Sequence, residues 1–240
     1  MADPSATIAA NLAQIQQRIA QAATRAGRRP DGITIVAVTK THPAEIIRAS
    51  YDAGLRQFGE NRVQEFESKL PQLSDLPGAA FHLIGHLQSN KARRAAHLFH
   101  RVDSVDGLAL AQKLDSAAAE ENKILGVLIE VHLGGEDTKS GVSEHDLPVL
   151  AEKIATLPHL ELRGLMTIPP FFDAPEDDRP FFRKLRTLRD DLAKRLAREL
   201  PVLSMGMSHD FEVAIEEGAT EIRPGTALFG ARPQLVKFDT

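Results

Sequence analysis

Ile33-Thr-Ile-Val-Ala-Val-Thr-Lys40-Thr-His-Pro43 is an apolar, largely β-branched run that ends in a single lysine. It has no polar alternation, so it reads as a strand buried on both faces, as strands of parallel sheets are. Pro43 then opens a helical pattern over 44–53, as proline does at a first helical position. Parallel α/β folds place their chemistry at the carboxyl ends of such strands. Taken alone, Lys40 is better explained as the first solvated residue after a strand. The units on either side decide the matter.

Upstream, Ser5 can cap a helix carrying Ile8, Leu12, Ile15 and Ile19 at helical spacing, and Gly27 stops it. Downstream, the strand-then-helix unit recurs. Strands are expected at 56–59, 81–84, 101–104, 126–131, 162–168, 202–205 and 221–223. Between them, helices are expected through Val63, Phe66 and Leu70, then at 88–99, 106–122, 144–156, 180–199 and 210–217, with a last turn at 226–229. Strict alternation implies parallel pairing with right-handed crossovers. Eight such units in 240 residues match an α/β closed (β/α)8 TIM barrel with an extra N-terminal helix, as one domain over residues 1–240. An open doubly wound sheet is the alternative. No Gly-x-Gly-x-x-Gly follows any strand, which weakens a dinucleotide-binding reading.

Composition narrows the function. A net charge of −4 leaves no basic surplus for a dedicated nucleic-acid site. The absence of cysteine removes disulfides, thiolate zinc sites, iron–sulfur clusters and cysteine nucleophiles. No apolar run approaches the ~20 residues of a membrane span. The N-terminal segment lacks a signal peptide's basic start and apolar run, so a cytoplasmic protein is expected.

Barrels often hold phosphate groups in the loops after strands seven and eight. Here those loops are Gly206-Met207-Ser208-His209-Asp210 and Pro224-Gly225-Thr226. Glycine lets backbone N–H groups approach an anion, and the Ser and Thr hydroxyls add donors. Plain capping by Ser208 and a turn at Gly225 is the competing explanation. Barrel closure would bring both loops beside Lys40. A lysine facing a phosphate-anchored aldehyde describes pyridoxal 5'-phosphate (PLP) bound as a Schiff base.

Six stretches carry a resemblance. Val36-Ala-Val-Thr-Lys-Thr41, Phe58-Gly-Glu-Asn-Arg-Val-Gln-Glu65, His82-Leu-Ile-Gly-His-Leu-Gln-Ser-Asn-Lys91, Gly164-Leu-Met-Thr-Ile168, Ser204-Met-Gly-Met-Ser-His-Asp210 and Arg223-Pro-Gly-Thr-Ala-Leu-Phe-Gly230 span nearly the whole chain. Together they resemble the pyridoxal phosphate homeostasis protein family, single-domain relatives of the alanine racemase barrel (fold type III). The resemblance implies that Lys40 forms the Schiff base with PLP. It implies that Ser208, Gly225, Thr226 and the backbone of Met207 hold the phosphate, and that Arg223 faces the pyridine nitrogen. Asn61 would lie near the ring, with Ile84 and Met166 at the rim. The chain departs from the family pattern at Thr39, usually serine, and at His132, often asparagine. A guanidinium keeps its proton at cellular pH, so the ring nitrogen facing Arg223 would stay unprotonated and be a poor electron sink.

Two functions follow from the resemblance. The first is a non-catalytic, monomeric PLP carrier in vitamin B6 homeostasis, whose partners are PLP and the apoenzymes that accept it. The alternative is a PLP-dependent amino-acid racemase or related fold type III enzyme. Such racemases use the lysine and a tyrosine from a second domain. This sequence ends ten residues after Gly230, and its only tyrosine, Tyr51, is expected in a helix beyond the rim. The carrier is therefore preferred, with no catalytic residue assigned.

Other groups read as surface. His82, His86, His97 and His100 lack metal-ligand spacing and an expected carboxylate partner, so no metal site is expected. Lys91, Arg93 and Arg94, and the loop residues Asp137, Lys139 and Gly141, read as solvated. Asp191 and Arg195 are spaced as an i,i+4 helix pair.

Overall fold

The computed structural model describes residues 4–134 and 140–230. α1 (Pro4–Arg25) precedes β1 (Thr34–Val38), α2 (Ala44–Asp52), β2 (Gln57–Glu60), α3 (Val63–Lys69), β3 (Ala80–Leu83) and α4 (Ala92–Leu98). β4 (Arg101–Val105), α5 (Leu108–Glu120), β5 (Leu125–Glu130), α6 (Leu147–Ala155), β6 (Leu160–Met166) and α7 (Arg179–Leu196) follow. β7 (Val202–Met207), α8 (Phe211–Glu216), β8 (Glu221–Arg223) and α9 (Thr226–Phe229) complete the order. Each strand pairs in parallel with the next, and Thr34 and Ile35 of β1 pair with Glu221 and Ile222 of β8. The sheet is thus a closed eight-stranded barrel, not the open doubly wound alternative. α1 packs its Ile8, Leu12, Ile15 and Ile19 stripe inward against α2, α8 and α9. No helix among the described residues is long and apolar enough to cross a membrane.

The main apolar layer lies between strands and helices, where Phe58, Phe66, Phe81 and Phe99 stack with ring centroids 4.6–5.5 Å apart. The barrel interior differs. Branched aliphatic residues usually fill it; here its N-terminal floor is ionic. Arg101 on β4 spans the lumen, bonding Asp103 through Nε at 2.6 Å and Glu221 on β8 through Nη1 at 2.7 Å. Its alkyl stem lies on Gly126, where a Cβ would be 3.2 Å away. Burial alone would lower the Arg101 pKa, but Asp103 and Glu221 outweigh it and hold the guanidinium charged.

Gly126 faces the lumen, and side chains alternate along a strand. Leu128 and Glu130 therefore also point inward. Leu128 packs with Met166 and Val202 in a small cluster of its own, above the ionic floor.

Several expectations need correction. β1 ends at Val38, so Lys40 stands on the loop past the strand, and Pro43 immediately precedes α2 instead of opening it. α4 begins at Ala92 after a 3-10 turn, and β7 runs on to Met207. Arg195 reaches across to Glu152 on α6, while Asp191 pairs with Lys194. His82 does meet carboxylates: it lies within 4.8 Å of Asp103 and Glu221. The Arg101 guanidinium already bonds both, which makes the group an ion network. His86, His97 and His100 engage Asp106, Glu121 and the Phe81 N–H respectively. Arg93 and Arg94 pair with Glu120 and Glu67.

Candidate functional site

A cavity of about 270 Å³ opens at the carboxyl ends of the strands. All seven residues singled out from sequence line it: Lys40, Asn61, Met207, Ser208, Arg223, Gly225 and Thr226. They come from the ends of β7 and β8 and the loops after β1, β2, β7 and β8, so only barrel closure brings them together. Ile84 also lines the cavity. Met166, expected at the rim, is instead fully buried in the lumen with Leu128 and Val202.

Lys40 is half-buried, between a buried Thr39 and an exposed Thr41. Asn61 is held against the loop after β3, because a Cβ at Gly85 would lie 2.4 Å from the Asn61 carbonyl oxygen. A residue larger than glycine at 85 would have to displace Asn61.

Arg223 rises from the end of β8, one inward position above Glu221. Its Nη1 donates to Ser204 Oγ and its Nη2 to the Thr167 carbonyl, both at 2.7 Å. It is 3% exposed, and among the described residues these hydrogen-bond partners are neutral. Burial pulls its pKa below the usual arginine value; Asp103, Asp210, Glu130 and Glu221 work against that fall. It remains a cation. The guanidinium is thus braced from behind, a fixed charge in the cavity wall.

Glu130 on β5 faces the lumen at this upper level, and sequence reasoning read it only as strand. Its Oε2 is buried without a hydrogen-bond partner. Burial raises its pKa to about 7 despite the opposing charge of Arg223. This folded-state value exceeds the 4.5 of a free glutamate, so the unfolded chain releases the proton first as pH rises. Glu130 therefore lowers stability progressively from about pH 4.5 to pH 7. Glu130→Gln is expected to melt near wild type at about pH 5 and to be more stable at about pH 8, by up to about 3 kcal/mol. Thermal melts followed by circular dichroism at both pH values check this.

The loops after β7 and β8 are knitted by one hydroxyl. Ser208 Oγ accepts the N–H groups of Gly225 and Ala227, each at 3.0 Å. Ser208 therefore ties α9 to the β7 loop instead of capping α8, and its own proton remains to donate to an anion. α8 and α9 have six and four residues, too short for much dipole. The Met207 N–H donates to Asp210 Oδ1.

Asp210 has a second partner that the sequence did not reveal. Asp178, just before α7, also lines the cavity at 2% exposure. Its Oδ1 has no partner; burial, then the charge of Asp210, lifts its pKa to about 6. Exposed Ile168 and Phe171 stand at the mouth, with the His209 ring 5.7 Å from that of Phe171. Tyr51 is elsewhere: its hydroxyl donates to the Pro77 carbonyl at 2.8 Å, and Arg56 covers its ring. His132 is half-buried and donates its N–H to the Val142 carbonyl; Asp137 and Lys139 lie outside the described residues.

The family model for the alanine racemase N-terminal domain matches residues 10–233. The Pyridoxal phosphate homeostasis protein of Aquifex aeolicus (strain VF5) is 48% identical over 92% of this chain and 96% of its own length. That of Escherichia coli (strain K12) is 44% identical over 94% and 97%. PipY of Synechococcus elongatus PCC7942, solved with PLP bound, superposes with a TM-score of 0.83 at 39% identity, covering 93% of this chain and all of PipY. With the closed barrel and that cavity in place, these likenesses settle the kinship: the chain belongs to the pyridoxal phosphate homeostasis protein family.

Proposed function

We propose that this protein holds PLP as a Schiff base on Lys40 and serves cytoplasmic vitamin B6 homeostasis as a monomeric carrier, with residues 1–240 as one binding unit. The observation that carries the reading is the meeting of Lys40, the Ser208 and Thr226 hydroxyls and the buried Arg223 on one cavity. The donor set fits the cofactor: an amine for the aldehyde, hydroxyls for the phosphate, and a fixed cation for the ring nitrogen. The unprotonated Lys40 amine adds to the aldehyde carbon, a C=N bond forms, and the aldehyde oxygen leaves as water. Gly225 keeps the floor of the phosphate loop low, Met207 shapes its side, and Asn61 flanks the ring.

PLP itself supplies an electron sink for amino-acid chemistry. This chain's residues restrain it. Arg223 offers the ring nitrogen hydrogen-bond donors and no transferable proton. Tyr51, the only tyrosine in the sequence, bonds Pro77 away from the cavity. Reversible holding and release to apoenzymes therefore suit the site better than turnover.

The test is direct. Protein loaded with PLP is reduced with borohydride, digested and mapped; the label belongs on Lys40, with loss of the yellow Schiff-base absorbance. Incubation with L- or D-alanine, followed by chiral chromatography, is expected to give rates well below the ~1–10³ per second of typical enzymes. Saturable racemisation within that range, abolished by Lys40→Ala, overturns the carrier reading.

A further inference from the structure

Behind Lys40 lies a buried charge cluster that the cavity itself does not use. The Lys69 ammonium, at the end of α3, has a side chain only 8% exposed and sits among oxygens of three residues. It donates to Glu60 Oε1 and Oε2 at 3.0 Å, to Glu65 Oε1 at 2.7 Å and to the Thr39 carbonyl at 3.1 Å. Thr39 Oγ1 adds a 2.7 Å bond to Glu60, whose side chain is wholly buried. Glu65 also accepts the N–H of Thr41. Burial raises the Glu60 pKa against the pull of Lys69 and Thr39. In Glu65 burial is outweighed by the bonds from Lys69 and Thr41, and its carboxyl stays low.

These bonds reach the residue before Lys40 through its carbonyl and hydroxyl, and the residue after it through its N–H. Thr41 is held at φ 66°, a left-handed conformation that a β-branched residue avoids unless its surroundings impose it. A structural ion cluster alone needs no such turn at a position next to the lysine. The turn follows directly on Lys40, so the backbone on both sides of the lysine is held.

We propose that Glu60, Lys69 and Glu65 form a positioning clamp that sets the reach of Lys40 and so favours its condensation with the cofactor aldehyde. This rests on the Schiff-base reading above. Bond formation by a tethered amine depends steeply on its placement, whereas phosphate binding at the far side of the cavity does not. The clamp therefore acts on the covalent component of affinity alone.

Two ligands separate the components. Pyridoxal 5'-phosphate condenses with an amine; pyridoxine 5'-phosphate, with an alcohol in place of the aldehyde, cannot. Both are titrated into wild type, Lys69→Met and Glu65→Gln, each checked for folding by circular dichroism and thermal midpoint. Lys69→Met is expected to weaken the aldehyde ligand on the order of tenfold or more and to lower the borohydride-trapped fraction on Lys40. The alcohol ligand is expected to bind as it does to wild type. Glu65→Gln keeps the Lys69–Glu60 pair and is expected to shift the same way by less; it carries the test if Lys69→Met does not fold. Equal weakening of both ligands, or no change in either, overturns the clamp. Wild type that binds both ligands alike and traps no lysine overturns the Schiff-base reading, and the clamp with it.

Discussion

Lys40→Ala is expected to abolish borohydride-trappable PLP and to leave the barrel folded. Lys40 is a half-buried rim residue outside the apolar layer, so truncating it opens no core cavity. The bonds that shape its loop use the backbone of Thr39 and Thr41, which alanine at 40 preserves. The thermal midpoint of the variant without ligand should accordingly stay close to wild type, as for substitutions away from the core. Some noncovalent PLP should remain, held through its phosphate. Mass spectrometry of reduced, digested protein decides the point: hydride incorporated at a different lysine in the wild type removes Lys40 from the site.

Ser208→Ala and Thr226→Val are each expected to weaken PLP binding about tenfold to a hundredfold, the loss of a hydrogen bond to a charged group at ~1.5–3 kcal/mol. Ser208→Ala should be the costlier of the two. Besides one donor to the anion, it removes the acceptor shared by the Gly225 and Ala227 N–H groups, so the loops after β7 and β8 lose their tie. Thr226→Val keeps shape and removes one hydroxyl. Equilibrium titration of the apoprotein measures both. An unchanged dissociation constant in the double variant would put the phosphate somewhere else.

How much of this was legible beforehand depended on whether the signal was local. The stretch 33–43 reads as a buried strand because its side chains are apolar on both faces, and the same is true of 126–131. Their alternation with helices was enough for a closed barrel. Ser208, Gly225 and Thr226 stand in short loops whose residue types speak for themselves. Asn61, Met207 and Arg223 were reached only through resemblance to a family, since nothing in their spacing marks them. What the chain could not reveal is pairing across the lumen. Arg101, Asp103 and Glu221 look like ordinary charged strand ends, and only closure turns them inward onto one another. Glu130 and Asp178 escaped for the same reason: a carboxyl buried in the lumen or beside the cavity looks, in sequence, like one on the surface. Met166 was placed at the rim by resemblance alone, and the structure buries it in the lumen with Leu128 and Val202.

The ionic floor has a consequence for the order of assembly. Arg101 and Glu221 are 120 residues apart, and their bond cannot form until β8 docks between β7 and β1. Before that, Arg101 lacks its carboxylate partner across the lumen. Such non-local closure makes folding slow compared with local helix pairing. The strand that seals the bottom also carries Arg223 to the top and leads straight into Gly225 and Thr226. Without β8 in place the cavity wall lacks Arg223, Gly225 and Thr226. A ligand that must touch both Lys40 and Thr226 binds only the finished ring, and its full binding free energy accrues to that state alone. In a chain of this topology, occupancy of the cavity is a readout of completed folding.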